Sequence, residues 1–163
     1  MFLVLDASAL LSGSFNSIPS GFEAVFITSR VKDEVSKGSP ARKLDQLISA
    51  GLSIRDPRDT SGAEKASSGT GDLGSLSDAD LSVIALAMEL GNAVVMTDDF
   101  MVQNVLKSLG IRFESAGELG ARKISEVWKW TFRCLGCGRF FEEAQKEEIC
   151  PICGSNVKKK RKR

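Results

Sequence analysis

Phe2-Leu-Val-Leu-Asp6-Ala-Ser-Ala-Leu10 decides the fold class of this 163-residue chain. The apolar run Phe2 to Leu5 ends on a carboxylate and passes into a stretch of small and apolar residues, the pattern of a buried strand turning directly into a helix. Ala24 to Thr28 repeats it, followed by Ser29-Arg-Val-Lys-Asp-Glu-Val35, where Ser29 is placed to cap a helix carrying Glu34. Gly38-Ser-Pro40 breaks that helix, and another through Leu44, Leu47 and Ile48 should end at Gly51. Leu52 to Arg55 predicts a further strand.

Ser77 starts the clearest helix, Asp78 to Leu90, with Leu81, Ile84, Ala85 and Met88 sharing a face and Gly91 ending it. Ala93 to Met96 is another buried strand, stopping at Thr97-Asp98-Asp99. Phe100 to Leu109 continues as a helix and Ile111-Arg-Phe113 as a last short strand. Strands separated by helices predict an α/β fold with a mainly parallel sheet, because parallel neighbours need a crossover connection and helices supply it. Between these elements, residues 56–75 hold Pro57, four glycines and many serines, and read as a flexible loop. So long a loop inside a compact domain suggests a binding element.

The acids fall at one edge of that predicted sheet. Asp6 and the Asp98-Asp99 pair stand immediately after apolar strands, and in open α/β sheets ligands bind at the carboxyl ends of strands. Glu34 and Asp80 sit in helices that can point at the same edge. Each has a structural explanation too: Asp80 lies three residues after Ser77, the spacing of a capping box, Asp98 or Thr97 can cap the next helix, and Glu34 can be a solvated helix residue. Asp6 resists that treatment, since a carboxylate at a strand end is partly desolvated and needs a partner.

The chain has no histidine and no tyrosine, so histidine-based acid–base chemistry is excluded. Clustered carboxylates repel unless they bind hard cations, and magnesium or manganese held by acids suits orienting a water against a phosphodiester. This is the constellation of a metal-dependent nuclease.

The four cysteines form two pairs, Cys134-Leu-Gly-Cys137 and Cys150-Pro-Ile-Cys153, separated by twelve residues and each followed by glycine. The spacing predicts a structural zinc site with Cys134, Cys137, Cys150 and Cys153 as ligands, whose metal folds a segment too small to bury its own core. Rubredoxin-like iron is the alternative metal, and two disulfides the alternative bonding. No signal peptide precedes Phe2 and no segment is apolar enough to span a membrane, so a reducing, cytoplasmic compartment is expected.

The net charge of +1 hides an asymmetry: residues 1–127 carry 12 basic and 17 acidic side chains, whereas the six residues 158–163 are all basic. Six like charges repel and bury nothing, so Lys158-Lys159-Lys160-Arg161-Lys162-Arg163 is expected to be a mobile arm that binds phosphate backbone. A solubilising tail or a nuclear localisation signal are the other readings. Arg133 and Arg139 in the cysteine-bearing segment extend the same basic character, and Phe140, Phe141 or Trp130 could stack a base. Trp128, Trp130 and Phe132 alternate as strand residues do, which equally suits packing between modules.

Together, Phe2-Leu-Val-Leu-Asp6-Ala-Ser-Ala-Leu, the Glu34 helix, Leu76-Ser-Asp-Ala-Asp80-Leu-Ser-Val-Ile-Ala-Leu-Ala and Val94-Val-Met-Thr97-Asp-Asp-Phe resemble the successive motifs of PIN-domain nucleases over most of residues 1–115. Thr70-Gly-Asp-Leu, Thr97-Asp-Asp-Phe-Met-Val-Gln-Asn-Val105 and the carboxyl-terminal ribbon narrow the resemblance to the Nob-type endonucleases of small-subunit ribosome maturation, and the short length suits an archaeal member.

The resemblance implies a PIN-like three-layer fold, with Asp6, Glu34, Asp80 and one or both of Asp98 and Asp99 as the acids of a manganese or magnesium site. It implies cleavage of precursor rRNA at the mature 3′ end of the small-subunit RNA, inside a pre-ribosomal particle with assembly proteins as further partners. The layout it suggests is a nuclease domain over 1–120, a linker over 121–131, a zinc ribbon over 132–157 and a basic tail over 158–163. A toxin-like PIN ribonuclease acting on tRNA or mRNA would share the acids, and an RNA-binding assembly factor could keep them without catalysis. A haloacid-dehalogenase-type phosphatase would want an aspartate where Ser8 stands.

Overall fold

The computed structural model describes residues 1–13, 15–36, 39–116, 124–143, 145 and 148–162. Strands β1 (Phe2–Leu5), β2 (Val25–Ile27), β3 (Leu52–Ile54), β4 (Ala93–Met96) and β5 (Arg112–Glu114) form a parallel sheet in the order β3-β2-β1-β4-β5. The helices are α1 (Ala7–Leu11), α2 (Ser29–Glu34), α3 (Ser39–Ser49), α4 (Ser61–Thr70), α5 (Asp78–Leu90) and α6 (Phe100–Ser108). The α/β class with a mainly parallel sheet is therefore the observed one.

The sheet core is built from the runs that predicted it. Leu3, Val4, Leu5, Ile27 and Val95 are buried, with Val102, Val105 and Leu106 of α6 packed into the same cluster. β1 pairs with β2 on one side and β4 on the other, Leu5 lying opposite Met96. The residues that follow, Asp6 and Thr97, are consequently neighbours across the gap where connections leave the sheet in opposite directions. Such a switch point opens a crevice outside the strand ends.

Two expectations are corrected. Residues 56–75 are not a flexible loop: α4 spans Ser61–Thr70 and a 3-10 turn spans Leu73–Ser75. α4 was hidden because its contact face is made of small residues, Ala63 and Ser67, and the Ser67 hydroxyl is satisfied by the Ala63 carbonyl at 2.7 Å. Small side chains let two helices approach closely without adding an apolar signature. With α4 covering it, α5 is buried on nearly every side from Ala79 to Ala87, apart from its amphipathic first turn, whereas Met88 is 36% exposed.

The basic tail is not a mobile arm. Val157–Arg161 forms β8, antiparallel to β6 (Trp130–Cys134), which also pairs with β7 (Phe140–Phe141) in a sheet ordered β7-β6-β8. Like charges destabilise an isolated segment, but here β6 supplies a backbone ladder, and Asp72 and Glu126 supply opposite charge to Lys159 and Arg161. The small sheet thus draws residues from the expected linker and tail as well as from 132–157. Arg163 lies outside the described residues.

Candidate active site and zinc centre

Asp6 is 1% exposed and caps α1, Oδ1 accepting from the Ala7 N–H at 2.7 Å. Its Oδ2 accepts from the Ser8 hydroxyl at 2.6 Å and the Thr97 hydroxyl at 2.7 Å. A buried carboxylate with three donors is held in one orientation. Thr97 is fully buried, and its Oγ1 also accepts from the Asp99 N–H at 3.1 Å. Ser8 Oγ accepts from the Asp98 N–H at 2.9 Å. Ser8 and Thr97 therefore tie the ends of β1 and β4 together.

The two adjacent aspartates diverge. Asp99, and not Asp98 or Thr97 as expected, caps α6, its Oδ1 accepting from the Met101 and Val102 N–H groups at 2.6 and 3.3 Å. Asp98 accepts from the Ser115 hydroxyl, and from the Ala116 N–H at 3.0 Å, beyond the end of β5.

Asp80 and Ser77 form a reciprocal capping box at the start of α5: the Ser77 N–H donates to Asp80 Oδ2 at 2.7 Å and the Asp80 N–H donates to Ser77 Oγ at 3.2 Å. Desolvation pushes the Asp80 carboxyl up to about 6, and the charges of Asp6 and Asp99 push the same way, against the Ser77 hydrogen bonds. Asp80, Asp6 and Asp99 thus share one electrostatic environment. Glu34, the last residue of α2, joins through Ser77, whose hydroxyl donates to Glu34 Oε1 at 3.4 Å. Thr28, and not Ser29, caps α2, accepting from the Val31 N–H at 3.2 Å.

The acidic oxygens suit hard cations, and magnesium in particular keeps much of its water shell and takes only one or two carboxylates directly. Among the described residues, only the cysteines bring three or more metal-binding atoms within 4.8 Å of one another, and the acids are not gathered so tightly.

Those cysteines carry free thiols and no disulfide, the Sγ separations being 3.4 Å for Cys134–Cys153 and 3.8 Å for Cys137–Cys150. A tetrahedral ion with metal–sulfur bonds near 2.3 Å separates its sulfurs by about 3.8 Å, so the four sulfurs fit a zinc ion. The Gly136 and Cys137 N–H groups donate to Cys134 Sγ at 3.3 and 3.4 Å. Hydrogen bonds from the side chain and then the backbone of Ser155 hold the Cys153 thiol down to about 6, whereas the Cys137 thiol, despite a backbone hydrogen bond from Arg139, is pushed up to about 11 by Cys134 and by burial.

The predicted basic residues divide between two faces. Arg133 pairs with Lys158 and Phe140, and Thr131 with Lys160, so these share one face of the small sheet. On it, Arg133 stacks over Phe140 at 5.6 Å, and Phe140 is 58% exposed. Lys159 and Arg161 take the opposite face, over Trp130 at 4.7 Å and Trp128 at 5.0 Å. Arg139 is exposed beside the first cysteine pair, and Lys162 is exposed just past β8.

A family profile described as the PIN domain of ribonuclease matches residues 3–90, a span holding Asp6, Glu34 and Asp80. The Endoribonuclease Nob1 of Pyrococcus abyssi is 40% identical over 159 residues, covering 96% of this chain and 91% of its own. This chain belongs to the Nob1 family of PIN-domain endoribonucleases. The Endoribonuclease Nob1 of Methanothermobacter thermautotrophicus is 36% identical over 98% of this chain and 93% of its own. The Ribonuclease VapC1 of Thermoplasma acidophilum is 32% identical over 98% and 78%. Among the described residues of this Nob1-family chain, no helix is long and apolar enough to cross a membrane.

Sequence reasoning named Ser77 as the capping partner of Asp80, and missed Ser8 and Thr97 as the hydroxyl donors that orient Asp6. Their signal was their position one or two residues from an acid at an element boundary.

Proposed function

We propose that this Nob1-family endoribonuclease cleaves precursor rRNA at the mature 3′ end of the small-subunit RNA, within a pre-ribosomal particle. The observation that carries this reading is the near end-to-end similarity to Nob1 endoribonucleases, which spans both the acids and the cysteine pairs.

Asp6, Glu34, Asp80 and Asp99 are the acids that would hold manganese or magnesium. Such an ion lowers the pKa of a bound water and offsets charge on the transition-state oxygens. Asp6 contributes a fixed negative charge, because its three donors hold one rotamer. Asp80, raised to about 6, is largely ionised at neutral pH, and the proton it still partly holds would leave as a cation binds. Asp98 turned towards Ser115 supports Asp99 as the last acid of the set, with Asp98 shaping the β4–α6 turn. Water attacks the phosphorus, the ribose 3′-oxygen leaves, and the downstream product keeps a 5′-phosphate.

The four cysteines would bind one structural zinc. The ribbon's outer face, with Arg133, Lys158, Lys160 and exposed Phe140, joins basic groups to an aromatic platform as single-stranded RNA requires. A groove of about 640 Å³ beside it is lined by Thr131, Phe140, Glu142, Lys160 and Lys162 among others. Arg139 and the end of the chain would extend that contact.

The similarity to Ribonuclease VapC1 supports a second reading, a PIN ribonuclease acting on tRNA or mRNA. Incubating the zinc-loaded protein with RNA spanning the small-subunit 3′ boundary and, in parallel, with tRNA and mRNA, each with manganese, magnesium or chelator, separates the two. One metal-dependent cut at the boundary, lost in Asp6→Asn, is expected. Cutting of tRNA in preference to that boundary would replace the proposed substrate, and cutting that survives Asp6→Asn would move the active site.

A further inference from the structure

Three deeply buried polar side chains that the acidic site does not use, Asp72, Gln103 and Asn104, are exposed by 0%, 1% and 1%. All three face the junction between the nuclease body and the ribbon. Asn104, on α6, uses its amide as a strand edge would. Oδ1 accepts from the Trp128 N–H at 2.6 Å, and Nδ2 donates to the Trp128 carbonyl at 2.7 Å and to Asp72 Oδ2 at 2.6 Å. The preceding residue, Gln103, bridges the acidic edge to the same segment. Its Nε2 donates to the Thr97 carbonyl at 3.1 Å, and its Oε1 accepts from the Ile124 N–H at 3.2 Å.

Asp72 completes the junction by charge. Its Oδ1 lies 3.2 Å from Lys159 Nζ of β8, which also donates to Ser75 Oγ at 3.0 Å. A carboxylate buried so completely costs several kcal/mol unless it is paired, so Asp72 and Lys159 hold one another in place. At the adjoining Gly71, φ is +80° and a Cβ would lie 3.0 Å from both the Cβ and the carbonyl oxygen of Trp130. No side chain fits there, and the chain touches β6 directly.

We propose that Asp72, Gln103 and Asn104 are positioning residues: they clamp segment 124–128 and the inner face of β8 onto the nuclease body, so that the outer basic face of the ribbon stands at a fixed distance from Asp6 and selects which phosphodiester reaches the acids. Gln103 binds at one end to the carbonyl of Thr97, whose hydroxyl orients Asp6, so the register of the ribbon is referred to the active-site edge itself. Lys159 serves this clamp, while Lys158 and Lys160 remain on the RNA-facing side. The inference rests on the endoribonuclease reading above for its consequence, though not for the clamp.

The test compares zinc-loaded wild type with Asn104→Leu, which keeps volume and removes three hydrogen bonds, and with Asp72→Asn, which keeps shape and removes the charge facing Lys159. The chain's two tryptophans, Trp128 and Trp130, both lie at the junction, so their emission reports the clamp without RNA. Both variants are expected to shift that emission to the red while keeping their zinc and a cooperative thermal transition of the body, at a lower temperature than wild type. On a short RNA that reaches only the acids, kcat and KM should stay within about twofold. On a long RNA spanning the cleavage site and the ribbon, KM should rise about tenfold and cuts should spread to neighbouring phosphodiesters. Unchanged emission in both variants overturns the clamp. Equal loss of kcat on both RNAs, or a long-RNA cut that stays at one position despite shifted emission, overturns the positioning role. If wild type itself leaves the small-subunit boundary uncut, the substrate reading fails, and the clamp still stands or falls on the emission.

Discussion

The Thr97 hydroxyl donates to Asp6 Oδ2 at 2.7 Å, joining residues 91 positions apart. The contact exists because β1 and β4 are parallel neighbours ending in register, Leu5 opposite Met96. Through Thr97 Oγ1 the Asp99 N–H is drawn into the same network, so one hydroxyl orients two acids.

Thr97→Val keeps the shape and removes both hydrogen bonds. Leaving Asp6 Oδ2 with Ser8 as its only hydroxyl donor should lower stability by about 1–3 kcal/mol and lower RNA cleavage, while Thr97→Ser restores both. Denaturant titration beside cleavage rates checks it. A fully active Thr97→Val would mean Asp6 needs no such orientation.

Asp98 and Asp99 should separate on substitution. Asn caps helices as well as Asp, so Asp99→Asn should fold normally and lose cleavage by about a hundredfold or more, through loss of a metal-binding charge. Asp98→Asn should keep kcat within a few-fold and lose about 1 kcal/mol of stability through its weakened bonds to Ser115 and Ala116. The reverse ranking in paired assays would exchange their roles.

Asp80 should make stability depend on pH. Its carboxyl titrates at about 6 in the folded protein against 3.8 ordinarily, so the folded state holds the proton more tightly. That contribution is fully present below 3.8 and is lost as the pH rises through about 6. At neutral pH, without magnesium or manganese, Asp80→Asn should therefore be more stable than wild type by about 1 kcal/mol, a figure reduced for partial solvent screening, or roughly 3 °C in Tm. The gain should shrink as the pH falls through about 6, and cleavage should be lost throughout. Calorimetry across that range reads the difference; a pH-independent one would mean Asp80 is not perturbed.

Zinc removal should open the ribbon and spare the body. The ribbon buries little beyond Phe132, Cys134, Cys150 and Val157, whereas the body has its own extensive core. A strong chelator should make all four thiols reactive towards a chromogenic disulfide while the body keeps a cooperative melt. At Gly136, an added Cβ would sit 2.8 Å from the Cβ of Ser155, whose hydrogen bonds lower the Cys153 thiol. Gly136→Ala should accordingly weaken zinc by about tenfold in competition with a chelator, the equivalent of ~1.4 kcal/mol.

What the chain determined by itself is what depends on near neighbours. Apolar runs of strand length, acids at their ends, the Ser77–Asp80 spacing and the paired cysteines can be read in sequence because each is set within a few residues. Tertiary structure decided what depends on a partner far along the chain. The segment over 61–70 is helical because α5 and α6 receive its small residues, and the basic residues of β8 form a strand because β6 pairs with them and Asp72 meets Lys159. The direction of Asp98 was decided likewise, by Ser115 and Ala116 at the end of another strand. Composition describes a segment's own preferences; burial, pairing and charge from elsewhere in the chain override them when the partner contributes more than the preference costs.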